Sequence, residues 1–121
     1  MIRVMIVDDH DGVRSGLAIL LGAHPDMTLV GEAASSAEAI ALIVSAQPDV
    51  IIMDLYMPDG DGASTTLAVK ALDPAVTVII LSNSMNGEHL NAAIKAGAST
   101  YLPKYASSDQ LIRAIREANA A

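Results

Sequence analysis

Five short runs rich in Val, Ile, Leu and Met constrain this chain more than any other feature. They are residues 2–7, 28–31, 50–53, 76–82 and 100–102. None alternates polar with apolar, so each reads as a strand covered on both faces, as in a parallel sheet. Helical periodicity fills the intervals. Val13, Leu17 and Leu20/Leu21 mark a first helix, and Ala37, Ile40, Ala41 and Val44 a second. Residues 63–72 form a third, the weakest, because Ser64, Thr65 and Thr66 are poor helix formers. Leu90, Ala93 and Ile94 mark a fourth, with Gly97 as its C-terminal cap; Leu111, Ile115 and Ala118 mark a fifth. Ser35 with Glu38, and Ser107 with Gln110, have capping-box spacing. Strict alternation of strand and helix predicts an α/β fold, a doubly wound five-stranded parallel sheet of order 2-1-3-4-5.

That topology decides where the charges go. Asp8 and Asp9 follow the first run, Asp54 the third and Lys104 the fifth. All stand at carboxyl ends of strands, the edge where open α/β sheets bind ligands. Asp11 is placed to cap the first helix, and solvated charge at a helix start is the bland reading of the acidic run. Asp54 argues for more. Carboxylates about 4 Å apart repel by roughly 4 kcal/mol per pair at an effective dielectric of 20. Such a group calls for a cation. Mg²⁺ suits it, since it takes oxygen ligands, keeps waters and uses few carboxylates. The expected ligands are Asp9, Asp54 and the backbone carbonyl of Tyr56, with Asp8 holding a water. A carboxylate oxygen left free beside the ion is poised to accept a phosphoryl group.

Composition removes other classes. Apolar residues make up 52%, aromatic residues only 2%, all of them tyrosine. There is no aromatic platform for stacking nucleic-acid bases. A net charge of −7, from 7 basic and 14 acidic residues, argues against direct contact with DNA or an anionic membrane. There is no cysteine for disulfides or thiolate metal sites. No run has the length of a signal peptide core or a membrane span, so a cytoplasmic location is expected.

The stretch Asp54-Leu55-Tyr56-Met57-Pro58-Asp59-Gly60-Asp61-Gly62 resembles the phosphoacceptor loop of bacterial two-component response-regulator receiver domains. Asp8 and Asp9 match that family's acidic pair, Ser82 its hydroxyl residue, Lys104 its lysine and Tyr101 its aromatic switch residue. Asp8-Asp9-His10 with Val13-Arg14, then Val30-Gly31-Glu32-Ala33, then Ala93-Ile94-Lys95-Ala96-Gly97-Ala98 resemble the NarL/FixJ-like (LuxR-type) branch. The similarity spans nearly the whole chain, from Ile2 to about Ala118.

The resemblance implies a flavodoxin-like (βα)₅ domain over residues 1–121, not an enzyme beyond its own phosphorylation and dephosphorylation chemistry. Asp54 would take a phosphoryl group from a sensor histidine kinase, with Mg²⁺ held by Asp8, Asp9, Asp54 and the Tyr56 carbonyl. Lys104 would neutralise charge, Ser82 would donate to the phosphoryl group, and Tyr101 would pack inward as the readout. Tyr56, Asn83 and Ser84 would tune access. A C-terminal helix-turn-helix output domain, absent from this chain, would bind DNA and control transcription. The alternative is a stand-alone receiver working by protein contact. A reading from another class, an aspartate-nucleophile phosphatase, wants an acid two residues after the nucleophile, where this chain has Tyr56. Ile19 and Ile112 exceed the apolar stripe their helices need and predict a phosphorylation-linked homodimer.

Other residues carry less. His10, His24 and His89 have no metal-ligand spacing; His10 is read as tuning the acids, not as a ligand. Asp59 to Gly62 fail the calcium-loop pattern, because the twelfth position is Lys70.

Overall fold

The computed structural model describes residues 1–83 and 87–120. Strands β1 (Ile2–Val7), β2 (Met27–Ala33), β3 (Val50–Asp54), β6 (Thr77–Ser82) and β7 (Thr100–Pro103) form one parallel sheet in the order β2-β1-β3-β6-β7. Between β3 and β6 lies a two-residue antiparallel pair, β4 (Tyr56–Met57) with β5 (Gly60–Asp61). With that pair set aside, the order is the expected 2-1-3-4-5. Helices α1 (Asp11–Gly22), α2 (Ser36–Ala46), α3 (Gly62–Leu72), α4 (Gly87–Ala96) and α5 (Ser108–Ala120) complete the alternation.

The period-2 geometry of the strands splits the core in two. Met5, Val7, Ile51, Met53, Val78 and Ile80 face α2, α3 and α4. Val4, Ile6, Val50, Ile52, Ile79 and Leu81 face α1 and α5. β1, β3 and β6 are almost wholly buried, which is why their sequences do not alternate. β1 and β2 slip register between Val4 and Met5, a bulge on the sheet's edge strand.

The capping signals have mixed outcomes. Ser107 and Gln110 form a full reciprocal box, Gln110 N–H to Ser107 Oγ at 3.1 Å and Ser107 N–H to Gln110 Oε1 at 2.9 Å. Ser35 Oγ accepts the Glu38 N–H, but Glu38 returns only a weak contact to the hydroxyl. Gly97, at φ +120°, ends α4 as expected. Asp11 does not cap α1; His10 holds the cap position, and Asp11 lies in the first turn. The poor formers of α3 are rescued locally. Asp61 accepts the Ser64 N–H at 2.7 Å, and buried Thr65 bonds both Asp61 O and Ser36 Oγ.

Two apolar stripes need correction. Helix α2 buries Ala39, Ile43 and Ala46, leaving Ile40 and Val44 exposed. The helix is apolar on two faces, so its pattern did not fix the phase. Ile112 is 3% exposed and belongs to the core, while Ile19 is 76% exposed. The expected surface pair therefore reduces to Ile19. Among the described residues no helix is long and apolar enough to cross a membrane.

Candidate functional site

The carboxyl edge of the sheet collects the charged residues. Asp8 directly follows β1, and its N–H extends the pairing to Ala33 O at 3.0 Å. Asp54 is the last residue of β3, opposite Leu81. Lys104 follows β7 and is tied by its N–H to Ser82 O at 2.9 Å. The ends of β1, β3 and β7, the last set apart from β3 by β6, thus aim their side chains into one space.

Lys104 Nζ lies 2.9 Å from Asp8 Oδ2 and 3.1 Å from Asp54 Oδ2. Both carboxylates are nearly inaccessible, at 2% and 4% exposure. They differ in charge balance. Burial pushes Asp8 upward, but the His10 N–H, Lys104 and the His10 ring outweigh it and hold its pKa below the ordinary value. Burial also pushes Asp54 up; with the charge of Asp8 it overcomes Lys104, leaving Asp54 above the ordinary value. Burial opposes the Lys104 charge, yet the two carboxylates win and raise its pKa.

Asp9 completes the cluster. Its Oδ1 is buried and accepts no hydrogen bond; the His10 ring nitrogen Nδ1 stands 3.2 Å away. An unsatisfied buried carboxylate oxygen costs about 1–3 kcal/mol or more, and a cation would relieve it. Donor atoms of Asp8, Asp9, His10 and Asp54 all lie within 4.8 Å of one another. The residues present therefore fit a divalent ion.

The loop after Asp54 is anchored at both ends. Gly62 N–H reaches Leu55 O at 2.6 Å. A Cβ at Gly62 would stand 3.0 Å from Leu55 Cα and 3.2 Å from Asp54 O, so only glycine permits this approach. Asp59 reaches across to α2 and accepts the Ser36 and Ala37 N–H groups at 2.8 and 3.0 Å. Those amides hold the Asp59 pKa down. Tyr56 donates its N–H to Asp54 Oδ1 at 3.4 Å. Its ring is exposed and meets His89 edge-on, centroids 5.2 Å apart at 68°.

Ser82 is buried at the end of β6, and Asn83 is exposed beside it. Ser84 lies outside the described residues. Tyr101 is 42% exposed and pairs with Ile80 across β6 and β7.

His10, expected to tune the acids, puts Nδ1 2.9 Å from Asp8 Oδ1 and 3.9 Å from Asp54 Oδ2. Two further contributors, Arg14 and Asp59, are given no role of their own by the sequence reasoning. Arg14 donates to Asp8 O at 2.6 Å and pairs with Asp11 and Glu32. Its three-residue spacing from Asp11 was the available signal. Asp59 follows a proline, which marks a turn but not the distant helix it caps.

Residues 4–116 match the response regulator receiver domain family. The chain is 41% identical over 120 residues to the DNA-binding transcriptional activator DevR/DosR of Mycobacterium tuberculosis, covering 99% of this chain and 55% of that protein. It is 40% identical over 121 residues to the transcriptional regulatory protein LiaR of Bacillus subtilis, covering 98% of this chain and 56% of the relative. The chain thus spans about half the length of these relatives. Among solved structures, the NarL signal receiver domain from Mycobacterium tuberculosis superposes with a TM-score of 0.93 at 29% identity, covering 99% of this chain and 97% of that one. A parallel sheet of order 2-1-3-4-5 with its acids and lysine at the carboxyl edge, matched over nearly its full length, places this chain in the response regulator receiver domain family, among relatives of the LuxR/NarL type.

Proposed function

We propose that the domain is a phosphorylation switch in which Asp54 accepts a phosphoryl group from a sensor histidine kinase. The observation that carries the reading is Lys104 Nζ bridging Asp8 and Asp54 beside the orphaned oxygen of Asp9. An Asp54 oxygen attacks the phosphorus of a phosphohistidine. A P–O bond forms, the P–N bond breaks, and the released imidazole takes up a proton. Such transfers depend on positioning and charge neutralisation. Mg²⁺, held by Asp8, Asp9, Asp54 and the Tyr56 carbonyl, would supply positive charge to the phosphoryl oxygens.

This chain's own residues do the rest. Lys104 opposes the burial that disfavours the Asp54 charge and then turns to the new phosphoryl oxygens. The Ser82 hydroxyl donates to one of them. Tyr101, now half exposed, packs inward as Ser82 shifts. The phosphoryl group moves an existing equilibrium by its preference for one state. Tyr56 and Asn83 flank the approach and set how readily donors and water enter; Ser84 is proposed to act with them.

The domain is no enzyme beyond this chemistry. A phosphatase would want an acid where Tyr56 stands. Relatives of about twice its length favour a longer cytoplasmic protein with a C-terminal helix-turn-helix output domain that controls transcription. The exposed Ile19 on α1 is the remaining candidate for a phosphorylation-linked dimer contact.

Intact mass spectrometry after incubation with a small phosphodonor and Mg²⁺ tests the acceptor. One added phosphoryl group is expected, abolished by chelator and absent from Asp54→Asn. Addition to Asp54→Asn, or none to the native domain, overturns the reading.

A further inference from the structure

We infer that Asp59 is a positioning residue for the acceptor loop: by gripping the first turn of α2 it holds the hairpin that carries the Tyr56 carbonyl, and so sets the affinity for Mg²⁺. The inference rests on the proposal above that Mg²⁺ is held by Asp8, Asp9, Asp54 and that carbonyl.

The grip has two points. Asp59 Oδ1 accepts the Ser36 N–H at 2.8 Å, and Oδ2 accepts the Ala37 N–H at 3.0 Å. The first turn of a helix leaves its N–H groups without intrahelical partners, and α2 satisfies them from two sources. Ser35 Oγ, at the N-cap, takes the Glu38 N–H at 3.1 Å. Asp59 takes the two before it, from 23 and 22 residues further along the chain. The helix dipole favours a carboxylate in that place. Two oxygens on two amides fix the direction of the loop as well as its distance.

The hairpin is built to transmit that grip. Tyr56 pairs with Asp61 and Met57 with Gly60, so Asp59 stands in the turn between paired strands. Pro58, beside it, has its φ locked by the ring. Buried Ser36 Oγ lies 2.7 Å from buried Thr65 Oγ1, and Thr65 donates to Asp61 O at 2.8 Å. A Cβ at Gly60 would stand 3.3 Å from Ser36 Cβ, so the hairpin lies directly on the helix start. At its other end the Tyr56 N–H meets Asp54 Oδ1 at 3.4 Å. Tyr56 therefore stands between the grip and the acceptor.

The chemistry of the ion makes this placement matter. Mg²⁺ demands near-ideal octahedral geometry with short ligand bonds. A carboxylate can turn to the ion by rotating its side chain. A backbone carbonyl is aimed only by its loop. Groups that orient a metal ligand from outside typically account for about 10–100-fold in affinity.

The test is calorimetric titration of MgCl₂ into the native domain, Asp59→Asn and Asp59→Ala near neutral pH. It is joined by NMR-detected amide exchange with and without Mg²⁺. The dissociation constant is expected to rise about tenfold in Asp59→Ala, and less in Asp59→Asn, which keeps one accepting oxygen. Coupling is reciprocal. Saturating Mg²⁺ should therefore slow exchange of the Ser36 and Ala37 amides in the native domain by up to the same factor, and Asp59→Ala should lose that response. An Asp59 that only stabilises α2 would lower the melting temperature of the variants and leave their Mg²⁺ affinity unmoved, which would overturn the inference. So would native Ser36 and Ala37 amides that ignore Mg²⁺, a result read whether or not the variants fold. In both cases the native domain still binds Mg²⁺ and the metal-site reading stands; if the native domain binds no Mg²⁺, that reading fails and the inference with it.

Discussion

The two edges of this sheet treat charge in opposite ways. At the amino edge each charge has a settled partner. Arg3 donates to Ala46 O and Gln47 O at 2.7 and 3.0 Å, closing the end of α2. Its N–H meets Asp49 Oδ2 at 2.9 Å, and Arg116 grips Asp26 through two bonds of 3.0 and 3.2 Å. At the carboxyl edge, three carboxylates share Lys104 and an imidazole. Asp54 stays above its ordinary pKa, and Asp9 keeps an oxygen unpartnered. The first edge joins strands to helices. The second stores repulsion that an added ion or phosphoryl group can relieve, the arrangement expected where perturbed groups mark function.

The contrast is best broken at Lys104. Lys104→Ala removes the one ammonium from the acidic edge. The rate of phosphoryl uptake from a small donor should fall about 100-fold, the scale for losing one preorganised charge-stabilising donor. Next comes Gly62→Ala. Its Cβ would press on Leu55 Cα and the Asp54 carbonyl, so unfolding in urea should show a loss of about 1–3 kcal/mol, the usual cost of overpacking. A smaller effect is expected at Asp59. Its pKa is lowered by the Ala37 and Ser36 amides. Such a group adds stability above its ordinary value of 3.8 and loses it as pH falls through the lower folded value. Exchange of the Ser36 and Ala37 amides should therefore quicken below about pH 4, and Asp59→Asn should remove that acid dependence. The smallest effect belongs to the amino edge. Arg116→Ala breaks an exposed pair and should leave both the melting temperature and phosphoryl uptake unchanged within error.

Much of the carboxyl edge was legible in the sequence, because topology alone delivers it. Once five buried strands are recognised as parallel, residues just beyond β1, β3 and β7 must converge. Asp8, Asp54 and Lys104 needed no side-chain detail to be placed. His10 was harder, since its ring direction depends on loop dihedrals and on Asp8 Oδ1. The β4–β5 pair was missed because its anchor is remote: Asp59 binds amides 22 and 23 residues earlier. On α2, Ile40 and Val44 form as good a stripe as Ile43 with its alanines, and only packing against Met5 and Ile51 chooses between them. Ile112 was assigned to the surface by the same ambiguity, and β1, β3 and β6 claim it for the core.

The central claim is that Asp54 and its neighbours form a metal-dependent phosphoryl site that is poised before any kinase arrives. Fluorine NMR with beryllofluoride, a phosphoryl mimic, tests it most directly. The account predicts bound fluorine resonances only when Mg²⁺ is added, absent from Asp54→Asn and weakened in Lys104→Ala. Bound resonances that persist in Asp54→Asn, or none from the folded native domain with Mg²⁺ present, would contradict it.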